Sequence, residues 1–147
     1  MYDPLNDIQH YGKNLTIAQV VKFFEKKELG VTRAMIQNYI RDGLLPPPVN
    51  KRFYTHKHLA ALVVIDYAKT VFGIGEVKVA LTPLMDGEGL PLEIYSRLIG
   101  DLASVSLRWK ETVGTNIFKT ESEKTFSALL LMAHAADLKA LAGTMIE

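Results

Sequence analysis

Arg33, Gln37 and Arg41 follow one another at intervals of four residues, with Asn38 beside them. On a helix that spacing sets the first three in one row. Guanidinium and carboxamide groups are the side chains that match base edges in a DNA major groove, arginine to guanine and glutamine or asparagine to adenine. Shortly after them come Asn50, Lys51 and Arg52, a polar and basic trio whose cations suit phosphate oxygens. Any solvated helix also shows arginine and glutamine, so the pattern acquires meaning only from what holds it in place.

The surrounding residues supply that support. Thr32 can accept a hydrogen bond from an amide one turn into a helix, and Gly43 offers the backbone freedom on which helices end, which predicts a helix over Arg33–Arg41. Ile36, Tyr39 and Ile40 form its apolar face, opposite the Arg33 row. A helix of that length is not stable alone, so it must be docked by that face. The run LLPPP that follows predicts a stiff polyproline strut. Val49, Phe53 and Tyr54 have strand character, and with the basic tip at 50–52 they predict a two-strand wing over 49–54. Upstream, Thr16 caps a first helix running from Leu15 to about Phe24, with Ile17, Val20, Val21 and Phe24 on one face. Its start favours an anion, so Thr16 and Gln19 are candidate phosphate contacts, with capping and solvation as the ordinary alternative.

Ile17 to Val20, Gly30-Val31-Thr32, Ile36, Tyr39, Gly43-Leu44-Leu45, Pro47, Arg52, Tyr54, Leu59 and Leu62 together resemble the N-terminal domain of MerR-type transcriptional regulators. The resemblance covers Leu15 to Leu84. The whole chain also resembles a bacterial family of unknown function that carries such a domain with a short helical C-terminus. Against the MerR-type pattern, Glu25 to Leu29 is an insertion, the wing is short, and Ala34, Gln37 and Asn38 replace the arginines and tyrosine common there. What the resemblance implies is a mainly α fold: a winged helix-turn-helix N-terminal domain with a two-strand wing, followed by two C-terminal helices. It implies a transcription regulator that binds double-stranded DNA. Arg33, Gln37 and Asn38 would then read bases, and Arg41, Lys51, Arg52 and Tyr39 would hold the backbone.

Charge supports the same reading. The chain carries a net charge of +1, yet residues 13–58 contain nine Lys/Arg against three Asp/Glu, which leaves the remainder acidic. A basic segment of this kind is the electrostatic footprint of nucleic-acid binding. The same footprint fits a rival reading, a winged helix reused as a protein-binding module whose basic face meets an acidic partner.

The other segments bound the remaining possibilities. With no cysteine among 147 residues there is no disulfide, thiolate metal site or thiol nucleophile. No phosphate loop, serine elbow or histidine–carboxylate pair at useful spacing is present, so no enzyme is expected. His56 and His58 lie two residues apart, off a common helix face, and predict no metal site; no cofactor is expected. Residues 1–14, rich in aspartate, asparagine and proline, read as a loose arm without the basic start and apolar core of a signal peptide. The longest apolar stretch, Ala128 to Ala136, is too short to span a membrane, which points to a soluble, cytoplasmic protein.

Within 15–85, a third helix capped by Thr55 is expected to run to about Val71 and bury Leu59, Leu62, Val63 and Tyr67, with a short fourth at Glu76–Leu81. Met85 to Leu90 reads as the internal boundary. Residues 86–147 then carry two long helical patterns. One follows Leu92, Tyr95, Ile99, Leu102, Ser106, Trp109 and Val113 at heptad-like spacing; the other runs through Phe126, Leu129, Leu130, Ala133, Leu138, Leu141 and Met145. A two-helix hairpin has little core of its own, so its remaining apolar surface needs a partner, either a second copy of the chain or the winged domain. A homodimer through these helices is expected, since two reading heads matched to two half-sites multiply specificity. Trp109, Tyr95, His134 and Phe126 could line an effector pocket, although aromatics at helical spacing are more often core; no motif supports a small-molecule effector.

Overall fold

A computed structural model describes residues 3–113 and 121–146. It is mainly helical, with six α-helices among the described residues: α1 (Ile17–Lys26), α2 (Arg33–Arg41), α3 (His56–Ala68), α4 (Ile74–Leu81), α5 (Leu92–Val113) and α6 (Glu121–Ile146). The chain divides into two compact units, Tyr2–Leu98 and Ile99–Glu147, so that α5 begins in the first and continues in the second.

The first unit is built on α1, α2 and α3. Thr16 and Gln19 make a reciprocal capping box at the start of α1: the Thr16 amide donates to Gln19 Oε1 at 2.9 Å and the Gln19 amide to Thr16 Oγ1 at 3.4 Å. The helix turns Val20, Phe23 and Phe24 inward, with the two phenyl rings edge to face. Thr32 caps α2 through the Met35 amide at 3.2 Å. At its other end Gly43 lies at φ +73°, and Leu44 returns its amide to the Tyr39 carbonyl at 2.8 Å, a tight stop that sends Leu44 and Leu45 into the core. Removing the α2 cap with Thr32→Ala is expected to cost about 1 kcal/mol. Urea unfolding followed by circular dichroism checks this; an unchanged midpoint would mean the cap is idle.

Among the described residues there is no strand ladder, and the two-strand wing reduces to isolated antiparallel bridges. Val49 and Phe53 exchange hydrogen bonds of 2.7 and 2.9 Å around a tip in which Asn50 and Lys51 both adopt positive φ. Tyr54 then pairs with Leu15 (2.7 and 2.8 Å) rather than extending the hairpin. Pro46, Pro47 and Pro48 have no amide to donate to further rungs, so the wing is one closed turn tied to Leu15, the residue before the cap of α1.

The N-terminal segment is not a loose arm from Asp3 onward. Pro4 and Leu5 are buried, Asp3 accepts the Tyr95 hydroxyl at 2.6 Å, Asp7 pairs with Lys27 at 2.7 Å, and Tyr11 stacks edge to face on Phe23. That burial and the neighbouring Asp3 carboxylate push the Tyr95 hydroxyl far above its ordinary pKa, so it stays protonated and can donate to Asp3. Tyr95 is thus part of the first unit's core and not an open pocket wall.

Helix α3 stops at Ala68, short of the expected Val71, and Tyr67 is 54% exposed instead of buried. The Met85–Leu90 run, read as the internal boundary, lies within the first unit. Asp86 and Gly89 close a turn, Lys57 and Asp86 pair at 2.7 Å, and the Leu90 amide donates to the Lys57 carbonyl at 3.0 Å, which carries the first unit through to Leu98.

The second unit, taken by itself, holds the rest of α5 and all of α6. Ile99, Leu102 and Ser106 are half-buried, which agrees with the heptad-like row on α5. On α6, Leu129, Leu138, Leu141 and Met145 are exposed, Met145 to 75%. The side chains of Trp109, Val113, Phe126 and Leu130 lie outside the described residues, and with Trp109 and Phe126 two of the four residues of the suggested effector pocket. Among the described residues no helix is long and apolar enough to cross a membrane.

Candidate nucleic-acid interface

Helix α2 divides its residues cleanly. Ile36 is fully buried and Tyr39 is 8% exposed, so these two dock the helix. Arg33, Gln37, Asn38 and Arg41 are all exposed on the outer side. Tyr39 therefore leaves the group of expected contacts: its ring is spent on the core. Arg41 keeps its exposure but is partly engaged, its Nε donating to Asp42 Oδ1 at 3.2 Å.

The last turn of α2 is held from outside as well. Lys78, on α4, donates its ammonium to the Asp42 carbonyl at 3.0 Å, where the helix's unpaired carbonyls and its dipole favour a cation. Nothing in the α2 sequence announces this partner, because it comes from a helix 36 residues further on.

At the wing, Lys51 and Arg52 are exposed, and the Arg52 guanidinium lies 5.4 Å from the Phe53 ring centre. The strut and the wing are joined to α3 by His58, a residue whose role the sequence reading missed. It is fully buried. Its Nδ1 accepts from the Thr55 amide at 3.0 Å, and its Nε2 lies 3.1 Å from the Pro47 carbonyl, to which it can only donate. With Thr55 as N-cap, His58 occupies the third helical position, where a capping box ordinarily carries glutamate or glutamine. That position was the signal available in the sequence. His56 does a smaller version of the same work, its Nε2 lying 3.0 Å from the Gly12 carbonyl of the N-terminal segment.

Thr16 and Gln19 sit at the exposed start of α1 but are bonded to each other, which realises their ordinary role as caps. The basic excess of residues 13–58 is also less open than a count suggests. Lys27 is bound to Asp7, whose carboxyl this hydrogen bond holds below its usual pKa. Lys57 is bound to Asp86 with the same consequence, and Asp86 in turn raises the Lys57 ammonium. What remains outward on α2 and the wing is Arg33, Gln37, Asn38, Arg41, Lys51 and Arg52.

Comparison with curated proteins and with solved structures finds no match to this chain. One family does match, over residues 5–96, an interval that begins within the N-terminal segment, passes the Met85–Leu90 turn and ends two residues before the first unit does. The chain belongs to that family, which is described as a domain of unknown function, DUF1836.

Proposed function

We propose that this chain is a sequence-specific DNA-binding protein of the MerR-like winged-helix kind, a transcription regulator that acts as a homodimer. The observation that carries the reading is the division of α2: one face buried through Ile36 and Tyr39, the other presenting Arg33, Gln37, Asn38 and Arg41 on a capped helix. A row of arginine and carboxamide groups on a docked helix can read base edges because the backbone that carries it is fixed before binding, leaving side-chain freedom alone to be spent. Lys51 and Arg52 at the wing supply cations for the phosphates beside it. The exposed apolar residues of α6 support the dimer, since a helix with this much uncovered apolar surface gains by pairing with a second copy. Two reading heads on two half-sites would multiply specificity.

Selection of bound duplexes from a random pool, then anisotropy on the selected and a scrambled duplex across a salt series, tests this. Arg33→Ala is expected to cost about 1–3 kcal/mol on the selected duplex and to relax preference at one base pair. Arg52→Ala should weaken both duplexes alike and lower the salt slope by about one. Equal losses on both duplexes from both variants would refute the division of roles. If the wild type shows no selected motif, the basic face is left to an acidic protein partner. Light scattering after size exclusion should give twice the chain mass; a monomer at micromolar concentration would remove the dimer.

A further inference from the structure

His58 is the one polar residue that is buried among the described residues of this chain. Its surroundings leave it a single workable state. Nδ1 faces the Thr55 amide, which is a fixed donor, so Nδ1 must carry a lone pair; Nε2 faces the Pro47 carbonyl, a fixed acceptor, so Nε2 must carry the proton. The two partners belong to different pieces. Thr55 opens α3, and Pro47 belongs to the strut that leads from α2 into the wing.

We propose that His58 is the positioning residue of the wing: its neutral, Nε2-protonated imidazole latches the strut to the cap of α3 and so fixes the basic tip at 50–52 relative to α2. The consequence for ligand binding rests on the nucleic-acid reading of α2 and the wing, while the latch itself does not. A second proton would go to Nδ1 and set it against the Thr55 amide, a fixed donor, leaving only the Thr55 hydroxyl at 3.2 Å to accept from it and the α3 cap broken. Besides this latch the wing is held by one rung of its own, Val49 with Phe53, and by the Tyr54–Leu15 bridge on the α3 side, so it is the strut side of the tip that depends on His58.

The groups around the ring act in both directions. Burial holds the imidazole below its ordinary pKa. The Pro47 and Pro46 carbonyls and the Glu88 and Asp86 carboxylates of the neighbouring turn pull the other way, with Asp86 already committed to Lys57. Tyr54 meets the ring edge to face at 5.2 Å, and burial keeps its hydroxyl protonated. Because the closed-state pKa lies below the open-state value of about 6.5, the latch is fully effective above about pH 6.5 and is lost as pH falls through the closed-state pKa.

The test uses the full chain and no nucleic acid. Nitrogen NMR of the imidazole should show Nδ1 bare and Nε2 protonated at pH 7.5. Amide protection should be compared between the wing (Val49, Phe53, Tyr54) and the core (Val20, Leu62). In the wild type, wing protection should fall by up to about tenfold per pH unit below about 6.5, with core protection held. His58→Gln, which keeps an acceptor for Thr55 and a donor for Pro47 but does not titrate, should retain wing protection and flatten its pH profile. His58→Leu, which has neither, should show low wing protection at every pH.

The opposite tautomer, a wing as protected in H58L as in the wild type, or equal loss from wing and core on acidification would each overturn the latch. The DNA arm is separate: on a duplex that the wild type binds, acid should weaken the wild type more than H58Q. Absence of any bound duplex would count against the nucleic-acid reading and leave the latch standing on the protection data.

Discussion

Gly89→Ala is expected to destabilise the first unit by about 3–5 kcal/mol, near the upper end of what single substitutions do. A Cβ at that position would lie 2.4 Å from the Lys57 carbonyl oxygen, 2.6 Å from its carbon and 2.8 Å from the His58 nitrogen. These are backbone atoms in the first turn of α3, so no rotamer can move aside. Gly89 also sits at φ +136°, a conformation nearly reserved for glycine, which adds about 1–3 kcal/mol of strain for any other residue. The close approach is what lets the Leu90 amide reach Lys57 and puts Leu90 in the core at 1% exposure. Forcing the turn outward would therefore expose Leu90, a loss of about 1.5–3 kcal/mol, and strip the Lys57–Asp86 pair of its geometry. Gly87→Ala, in the same turn, has open space at its Cβ and no positive φ, and should change stability by less than about 0.5 kcal/mol. Urea unfolding of both variants decides the matter. Equal midpoints would mean that the turn is not seated against α3.

Ile36→Ala is the second large effect, expected at about 2–5 kcal/mol, because it removes a fully buried side chain from the face by which α2 is held. The loss should be local in origin but felt by the whole unit: α2 has nine residues and depends on this contact for its existence. Gln37→Ala, one residue on, is exposed and should leave stability within about 0.5 kcal/mol of the wild type. On a selected duplex the order should invert in kind: Gln37→Ala should lose base preference with the fold intact, whereas Ile36→Ala should lose binding only to the extent that it unfolds. Denaturation and anisotropy on the same two proteins separate these outcomes. A stable Ile36→Ala would show that α2 is held chiefly by its caps and by Lys78.

The parts of this protein that its sequence announces are those settled within a few residues. Thr32, the Ile36–Tyr39 spacing and Gly43 place α2 at Arg33–Arg41, since a cap, an i, i+3 contact and a left-handed stop each involve neighbours one turn apart. Thr16 and Thr55 mark the starts of α1 and α3 for the same reason. The outward row Arg33, Gln37, Arg41 follows directly from the helical period once the apolar face is known.

The tertiary structure alone decided the rest. Tyr95 and Asp3 meet across 92 positions, and that contact turns a segment with the composition of a loose arm into part of the core. Phe53 has the residue type of a strand, but its rung partner, the turn at 50–52 and the Tyr54–Leu15 bridge reduce the wing to one closed loop. Gly89 reads as one glycine of a boundary segment until the Lys57 carbonyl is found against it. His58 reads as a stray histidine until Thr55 and Pro47 close on its two nitrogens. In each case at least one deciding partner lies beyond the local turn, Asp3 for Tyr95, Leu15 for the wing, Lys57 for Gly89 and Pro47 for His58, and the propensity of a residue carries no record of which remote atom will satisfy it. Local rules set where this chain becomes helical; burial and the pairing of polar groups set where the first unit ends, what the wing is, and which side chains stay free to meet a ligand.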